Sequence, residues 1–423
     1  MNTSAERHVG LPTFQQLDLY EQIRRAPALS AAYDGGIPLV FAPGQIDAHL
    51  LEAAIGWVRR RHAALRTRMA LHGGALVQVI DAVESDWHLE REEWAGSPQQ
   101  RVSTLEARSI QTILGGDPLF GATLARCEGG DLLVLRLNHF VSDGWSDELL
   151  LREISTRYTA LESGEYPDAD EPATSYLEFA EAQHEEWIAR RCGAIDRLGS
   201  VTEGMIVPSL FPHGAGRPYD AAVAQVTRTL SDRCAARLEA AAGLHRMTPF
   251  TLLLACTALA VIDERDVPGC LIGSNVANRV DRRFRGTVGY LTNTRVVPVE
   301  AWREAAFAER LRLVRDAWLD ASRWDSVYAK PVLDALDNPE VLKIDLLETC
   351  SNASRASWGE AVPVSVPLPS SPCNHWRDLT ISWEVSPAGI HLSLRYRLDT
   401  VSPADAERLV TKVLEHLERG CEA

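Results

Sequence analysis

The sequence predicts a mixed α/β fold (mixed α+β) built in two halves, and three observations support this prediction. Short apolar runs typical of strands are interspersed with longer segments whose apolar residues recur at helical spacing. A length of 423 residues exceeds what one hydrophobic core ordinarily organises. Residues 162–172 are acidic, turn-rich and aperiodic, which is typical of a connection between domains. We therefore expect an N-terminal domain at 1–172 and a C-terminal domain at 173–423.

The first half alternates between strands and helices. Its expected elements are strand 37–41, a helix after Asp47, strand 75–80, helix 98–114, strands 119–126 and 131–137, and a helix after Ser146. Asp47 is expected to open its helix, which carries Leu51 and Ile55 at helical spacing on one face. Ser146 is the expected N-cap of the later helix for the same reason, with Leu150 as its first apolar member.

The second half repeats this mixture of elements without repeating the sequence. Its expected elements are helix 175–191, strand 223–230, helices 231–242 and 249–262, strands 269–275 and 288–299, helix 302–322, strands 342–349, 379–385 and 390–398, and a closing helix. Thr248 and Pro249 are suited to the cap and first position of the apolar helix 249–262. Ser402 and Gly420 begin and end the closing helix.

Composition and charge exclude several classes of partner. A formal net charge of −15 argues against nucleic acid or an anionic membrane as the main partner. Residues 1–10 show no secretory signal, and the longest apolar stretch, 249–262, is shorter than the roughly 20 residues that cross a bilayer. The eight cysteines form no Cys-x-x-Cys pair and no metal-ligand spacing, which is typical of thiols in a reducing compartment. We expect a cytoplasmic protein with no metal, membrane or nucleic-acid partner.

One histidine lies at a position suited to catalysis. Residues 131–137 are rich in Leu and Val, which predicts a buried strand that ends just before His139. A histidine with a pKa of about 6.5 can take a proton from an attacking hydroxyl or amine, or hold that group by a hydrogen bond. Asp143 either orients the ring, as in a triad, or binds an arginine and holds the loop. Spacing alone does not decide between these roles, and many His-x-x-x-Asp pairs are metal fragments or solvated turns.

Five segments resemble motifs of one family, in the order that the family has them. Residues 138–146, Asn-His-Phe-Val-Ser-Asp-Gly-Trp-Ser, resemble the His-His-x-x-x-Asp-Gly signature of nonribosomal peptide synthetase condensation domains, within the chloramphenicol acetyltransferase-like superfamily. Residues 61–67 resemble its Arg-His-x-x-Leu-Arg-Thr motif, and residues 176–180 its Tyr-x-Asp-Phe-Ala motif. Residues 277–279 and 288–294 resemble its Ala-Asn-Arg and Gly-x-Phe-Val-Asn-Thr segments. The resemblance covers nearly the whole chain.

The resemblance implies a role for four residues. His139 corresponds to the second, catalytic histidine of the signature. Asn138 replaces the first histidine, whose implied role is structural. Asp143 corresponds to the structural acid, and its implied partner is an arginine, for which Arg279 is the candidate.

The resemblance also implies a fold and a substrate region. The implied fold is two acetyltransferase-like lobes in a V-shaped pseudo-dimer, with the histidine loop midway along a central tunnel. Gly144 is expected to leave the backbone open to the pantetheine arm or to the oxyanion of a tetrahedral intermediate, with Ser142 and Trp145 in the same region. Residues 12–16 match the family's Ser-x-Ala-Gln motif only faintly, and its late His-Gln-Asp and Arg-Asp segments are not recognisable. These departures indicate a divergent, free-standing enzyme.

The activity implied by the resemblance is condensation. The enzyme would transfer an acyl, aminoacyl or polyketide group from the phosphopantetheine thioester of an acyl or peptidyl carrier protein to a small-molecule amine or alcohol. No tightly bound cofactor is expected, and we expect a monomer. Arg282, Arg283 and Arg285 either contact the carrier or form an ordinary solvated surface.

Two alternative functions stay open. One is an acyltransferase that uses coenzyme A thioesters, or a polyketide-associated type that transfers a finished chain to an alcohol. The other is a catalytically silent docking module that recruits a partner enzyme to a synthetase. The retained histidine and Asp-Gly pair favour a catalyst over a docking module.

Overall fold

The structure, a computed structural model, describes residues 8–83, 87–105, 109–165, 172–203, 222–336, 340–348, 358–365, 379–386 and 389–422. The chain divides into two compact units. Unit 1 comprises Met1–Glu185, Arg279–Thr292 and Cys350–Cys373, and unit 2 comprises Glu186–Asn278, Asn293–Thr349 and Asn374–Ala423. Each unit is therefore assembled from three separate stretches of chain.

Helices occur in both units. The first seven are α1 Phe14–Arg25, α2 Ser30–Tyr33, α3 Ala48–Arg61, α4 Pro98–Ser103, α5 Ile110–Leu114, α6 Gly144–Glu162 and α7 Tyr176–Glu203. Those that follow are α8 Asp232–Leu244, α9 Pro249–Arg265, α10 Phe307–Ala321, α11 Ala329–Asp334 and α12 Pro403–Glu422. Short 3₁₀ turns lie at Pro27–Leu29, Ala63–Arg66, Arg282–Phe284 and Ser322–Trp324.

The strands form separate sheets in the two units. The strands of unit 1 are β1 His8–Gly10, β2 Asp34–Phe41, β3 Thr67–His72, β4 Ala75–Ile80, β5 Glu90–Trp94, β6 Phe120–Cys127, β7 Gly130–Asn138 and, later in the chain, β12 Val364–Ser365. Those of unit 2 are β8 Val223–Thr229, β9 Gly269–Val276, β10 Asn293–Glu300, β11 Val341–Glu348, β13 Leu379–Ser386 and β14 Gly389–Arg397. Among the described residues, unit 1 has sheets ordered β1-β4-β3 and β12-β2-β7-β6-β5, and unit 2 has β10-β9-β11-β13-β14-β8.

The predicted mixed α/β class is confirmed. Two of the sheets are mixed, because β5 pairs parallel to β6, and β11 pairs parallel to both β9 and β13, among otherwise antiparallel neighbours. Each unit has its own apolar core. In unit 2, every residue of α9 from 251 to 262 is buried, so this helix is apolar on all sides. In the part of the chain that the structure describes, no single helix is both long and apolar enough to span a membrane.

The histidine loop is held between two buried elements of unit 1. β7 lies between β2 and β6, and its residues alternate between the main core and a smaller apolar cluster, so both faces of the strand are covered. Pairing with β2 places Asn138, the last residue of β7, opposite Asp34. α6 then packs into the same core through Leu150, Ile154 and Tyr158. The five residues between β7 and α6 therefore have fixed ends.

Several element boundaries differ from the predictions. The helix expected at 98–114 is not continuous, because α4 ends at Ser103 and Ser109 caps a separate helix, α5. The strand expected at 288–299 begins only at Asn293, because backbone N–H groups before it bind side chains instead of a neighbouring strand. The helix expected at 302–322 is shorter, since α10 spans Phe307–Ala321.

The division of the chain also differs from the predicted boundary after residue 172. Unit 1 continues to Glu185 and also includes Arg279–Thr292 and Cys350–Cys373. The reason is that one boundary divides the sequence into two continuous pieces, whereas unit 1 also contains later segments of the chain that pack with its first segment. Residues 166–171 of the expected connection and Thr349 of an expected strand lie outside the described residues.

Candidate active site

His139 directly follows β7, and its imidazole is held on one side. Nδ1 lies 2.6 Å from the carbonyl oxygen of Ser142. A carbonyl oxygen only accepts hydrogen bonds, so Nδ1 carries the hydrogen and the neutral ring keeps the lone pair of Nε2. Burial lowers the pKa of His139, although the Ser142 carbonyl and the charge of Asp143 act in the opposite direction. At neutral pH the ring is therefore an uncharged base whose free lone pair is on Nε2.

Two aromatic rings set the surroundings of the imidazole. The Tyr290 ring stacks on it, with centroids 4.0 Å apart and planes inclined by 23°. The Tyr33 ring is also nearly parallel to it, at 5.9 Å and 17°. The backbone N–H of His139 donates to the carbonyl oxygen of Tyr33 at 2.8 Å. Sequence reasoning did not select either tyrosine, and no local pattern marks them as neighbours of the histidine.

Asp143 and Arg279 form a buried ion pair with side-chain exposures of 1% and 2%. Oδ1 of Asp143 accepts hydrogen bonds from the Ser146 N–H at 2.9 Å, the Ser146 hydroxyl at 2.8 Å and Arg279 Nη2 at 3.0 Å. Oδ2 accepts from Arg279 Nη1, Leu291 N–H and Thr292 N–H at 3.0 Å each, and from the Thr292 hydroxyl at 3.1 Å. Burial raises the pKa of Asp143, but the charge and hydrogen bonds of Arg279 and the hydrogen bonds of Ser146 together hold that pKa below its ordinary value.

These contacts decide between the two roles that spacing left open for Asp143. Its carboxylate binds Arg279, while Nδ1 of His139 is bound to Ser142. Asp143 is therefore positioned to hold the loop and not to orient the imidazole directly. Its low pKa keeps it ionised at neutral pH.

The predicted N-cap of α6, Ser146, is wrong. The cap is Asp143, whose carboxylate accepts the Ser146 N–H. The Ser146 hydroxyl instead lies within hydrogen-bond distance of Asp143, Arg279 and the backbone of Gly289. A fully buried hydroxyl is thus used to join two segments of unit 1.

Asn138 is fully buried, and both atoms of its amide are hydrogen-bonded. Its Oδ1 accepts from the Phe140 N–H at 3.0 Å, and its Nδ2 donates to Asp34 at 3.2 Å. Asp34 also accepts from Arg136 at 3.0 Å. These bonds close the turn that follows β7, a structural task that needs no titratable group.

The three residues expected near the thioester have different environments. Gly144 is exposed, and a Cβ placed on it would meet nothing within 4 Å. Trp145 is 45% exposed, and its indole N–H donates to the Arg285 carbonyl oxygen at 3.1 Å. Ser142 departs from the expectation, because it is 3% exposed and its hydroxyl donates to Asp147. Gly144 and Trp145 are therefore accessible from solvent, whereas Ser142 is part of the loop support.

Two buried glutamines at the start of α1 also support the site. The side-chain amide of Gln16 donates to the Phe140 carbonyl oxygen at 2.9 Å. That of Gln15 donates to the carbonyl oxygens of Leu291 at 3.0 Å and Thr292 at 3.2 Å. Sequence reasoning did not select them as site residues. The available signal was the partial motif at 12–16, which ends in these two residues.

Comparison with known proteins identifies the family of this chain. The family model of the condensation domain matches residues 37–421, which is most of the chain. The chain belongs to the condensation-domain family. Condensation domains are in general acyl-transferring enzymes of natural-product biosynthesis, and those of nonribosomal peptide synthetases act on phosphopantetheine thioesters of carrier proteins.

Relatives of this condensation-domain chain are parts of much larger synthetases. A linear gramicidin synthase of Brevibacillus parabrevis is 29% identical over 351 residues, covering 79% of this chain and 7% of that protein. The chain thus spans less than a tenth of this relative's length.

Solved structures share the fold at low identity. The first condensation domain of the CDA synthetase superposes with a TM-score of 0.77 at 17% identity, covering 99% of this chain and 97% of that one. The X-domain in complex with OxyB from teicoplanin biosynthesis gives 0.78 at 18% identity, covering 100% and 95%. The fold is therefore the acetyltransferase-like fold of condensation domains.

Proposed function

We propose that this condensation domain transfers an acyl, aminoacyl or polyketide group from a carrier-protein thioester to a small-molecule amine or alcohol, forming an amide or an ester. The observation that supports the proposal is the state of His139, whose Nδ1–H is committed to the Ser142 carbonyl while Nε2 is left as a base. The divergence of residues 12–16 from the family motif supports a separate enzyme that meets its carrier in trans.

The proposed reaction needs one proton acceptor and no covalent enzyme intermediate. As the acceptor oxygen or nitrogen attacks the thioester carbonyl, Nε2 of His139 takes the proton that the nucleophile loses. The tetrahedral oxyanion then collapses, the carbon–sulfur bond breaks, and the departing thiolate recovers the proton from Nε2. For an alcohol His139 is a general base, whereas for an amine it mainly positions the nucleophile and assists the loss of its proton.

The start of α6 is suited to the oxyanion or the pantetheine arm. Gly144 is the first residue of this helix, and the first N–H groups of a helix have no helical carbonyl to bind. They also form the positive end of the helix dipole, which favours negative charge nearby. Gly144 is exposed and lacks a side chain, so a thioester oxygen can approach the backbone. We assign this helix start to the developing negative charge.

The test compares His139→Ala with His72→Ala, which alters an exposed histidine of the same unit. Each variant is mixed with an acyl-loaded carrier and a panel of amines and alcohols, and products are followed by intact-mass spectrometry. Loss of a general base should slow transfer by about 10²- to 10⁴-fold in His139→Ala. His72→Ala should match the wild type. Undiminished transfer by a folded His139→Ala would refute the assignment.

The same assay separates the alternative functions. A coenzyme A-dependent acyltransferase would use the coenzyme A thioester of a given acyl group better than its carrier thioester. A docking module would bind a partner protein equally well with and without His139, and the wild type would show no turnover. The likeness to the OxyB-bound X-domain makes partner binding a necessary control.

A further inference from the structure

A second carboxylate, Asp147, lies one helical turn after Asp143 in the first turn of α6. Its backbone N–H donates to the Asp143 carbonyl oxygen at 2.9 Å. Its Oδ1 accepts a hydrogen bond from the hydroxyl of Ser142. Asp147 directly follows the motif at 138–146 and has no place in the proposed reaction.

Ser142 joins this carboxylate to the imidazole. Its carbonyl oxygen accepts the Nδ1–H of His139, and its hydroxyl donates to Asp147. The residue is 3% exposed, so its own atoms are largely shielded from solvent. A displacement of Ser142 would move the carbonyl that sets the tautomer of His139.

Asp143 and Asp147 have opposite electrostatic environments. Asp143 is neutralised by Arg279 and remains ionised. Burial raises the pKa of Asp147 to about 7, the charges of Asp143 and Glu148 act in the same direction, and the Ser142 hydroxyl acts against them. One acid of the loop therefore stays charged, while the other changes its charge near neutral pH.

We propose that Asp147 is a positioning residue for His139, whose ionised carboxylate holds the Ser142 hydroxyl and thereby keeps the Ser142 carbonyl on Nδ1. An ionised acceptor makes a shorter and stronger hydrogen bond than a neutral one. Ser142 is therefore held more firmly once Asp147 has lost its proton. The expected change in kcat rests on the proposed function of His139, whereas the expected change in the tautomer of its imidazole does not.

The experiment uses the full chain with Asp147→Asn, Asp147→Ala and a matched control, Asp405→Asn. Asp405 also lies in the first turn of a helix, α12, and accepts a serine hydroxyl, that of Ser402, at 2.8 Å, but it belongs to unit 2. The ring nitrogens of His139, assigned with His139→Gln, are observed by ¹⁵N NMR. The kcat and KM of acyl transfer are measured from about pH 5.5 to about pH 8.5, a range that brackets the pKa of Asp147.

The wild type should show a hydrogen on Nδ1 and a rise in kcat as Asp147 ionises around neutral pH. Asp147→Asn keeps an oxygen that accepts the Ser142 hydroxyl hydrogen, so the Nδ1–H signal of His139 should remain. The amide does not ionise, so the rise in kcat around neutral pH should disappear. Asp147→Ala should lose the single tautomer and lower kcat by about 10- to 100-fold, the size expected for a misaligned group, with KM changed less than about twofold. Asp405→Asn should match the wild type in every respect.

Two results would overturn the inference: His139 nitrogen shifts in Asp147→Ala that equal those of the wild type, or a kcat step near pH 7 that persists in Asp147→Asn. Should Asp147→Ala fail to fold, Ser142→Ala decides, because it removes the same hydrogen bond and should likewise abolish the step. If the wild type transfers no acyl group while its nitrogen shifts still differ from those of Asp147→Ala, the proposed function fails and the positioning role stands.

Discussion

At the scale of the residue, the proposed base and the groups that support the loop after β7 are different side chains. His139 has a lowered pKa and a free Nε2 lone pair, which suits a base that must be uncharged at neutral pH. Asp143 has a lowered pKa and is bound to Arg279, which suits a permanent charge. These two groups do not share a hydrogen bond, and Asp143 acts on His139 through its charge, which raises the pKa of the imidazole.

The pH dependence of transfer should follow the lowered pKa of His139. The ordinary pKa of histidine is about 6.5 and the folded value lies below it, so the neutral base persists as the pH falls past 6.5. In Asp147→Asn, which lacks the step that Asp147 causes, activity should decline only when the pH passes the folded pKa of His139. As the pH falls, the unfolded chain binds a proton at this histidine before the folded chain does. His139 therefore lowers the free energy of unfolding below about pH 6.5. An NMR titration of His139 in Asp147→Asn would isolate its pKa, and a value above 6.5 would contradict the prediction.

Removing the charge of Asp143 should destabilise unit 1. Asp143→Asn removes the carboxylate charge from a buried ion pair with Arg279, which costs about 3–5 kcal/mol for a pair of this kind. Urea unfolding followed by tryptophan fluorescence would measure the loss. Glu407→Gln is the control, because it breaks an ion pair with Arg228 whose side chains are about half exposed. Equal stability of the two variants would show that the buried pair contributes little.

At the scale of the element, the segment Arg279–Thr292 forms one wall of the site although it is neither helix nor strand for most of its length. It supplies the guanidinium of Arg279, the stacked ring of Tyr290 and two N–H groups that bind Asp143. Phe284 anchors it in the core of unit 1, with its ring edge-on to Phe179 at 5.2 Å. Side chains of the histidine loop therefore take up the backbone hydrogen bonds that a strand would otherwise use.

Gly289 should be the most sensitive glycine of this segment. A Cβ at this position would lie 2.4 Å from the ring of Tyr176, which is buried and bonded through its hydroxyl to Thr13 and the Tyr290 carbonyl. Gly289→Ala should lower the free energy of unfolding by about 1–3 kcal/mol through overpacking and should also reduce transfer. Gly286→Ala is the control in the same segment, since its Cβ would meet nothing within 4 Å. Differential scanning fluorimetry compares them, and equal midpoints would contradict the predicted collision.

At the scale of the whole molecule, unit 1 is not one continuous stretch of the chain. Its core and its candidate site contain residues from before and after the segment Glu186–Asn278, which belongs to unit 2. The pair Asp143 and Arg279 joins positions 136 residues apart. The candidate site therefore forms only when segments of unit 1 that are far apart in the chain come together.

A fragment of residues 1–185 should fail to form the native site. It contains His139 and Asp143 but lacks Arg279 and the N–H groups of Leu291 and Thr292, so the Asp143 carboxylate would have no arginine to offset its charge and would keep only its hydrogen bonds from Ser146. We expect a poorly dispersed ¹H–¹⁵N NMR spectrum and rapid proteolysis, in contrast to the full chain. A well-dispersed spectrum with native-like His139 signals would show that the first segment is sufficient.

The predictions from sequence succeeded where the signal was local. The strand at 75–80 and the helix capped by Asp47 have the expected starts, because alternation and capping act between near neighbours. The cap at Ser146 failed because the hydroxyl is used by Arg279 and Gly289, which lie far away in sequence. The helix expected at 98–114 failed because a cap inside it, Ser109, begins a new helix.

The sequence by itself determined the mixed α/β class, the family, and the histidine with its Asp-Gly pair. These depend on periodicity and on contiguous motifs, which are properties of neighbouring residues. Only the tertiary structure decided that Asp143 binds Arg279 and not the imidazole, that Ser142 joins His139 to Asp147, and that Gln16 supports the loop. The physical reason is that hydrogen-bond partners in a buried site are chosen by which elements pack together, and spacing along the chain does not specify that choice.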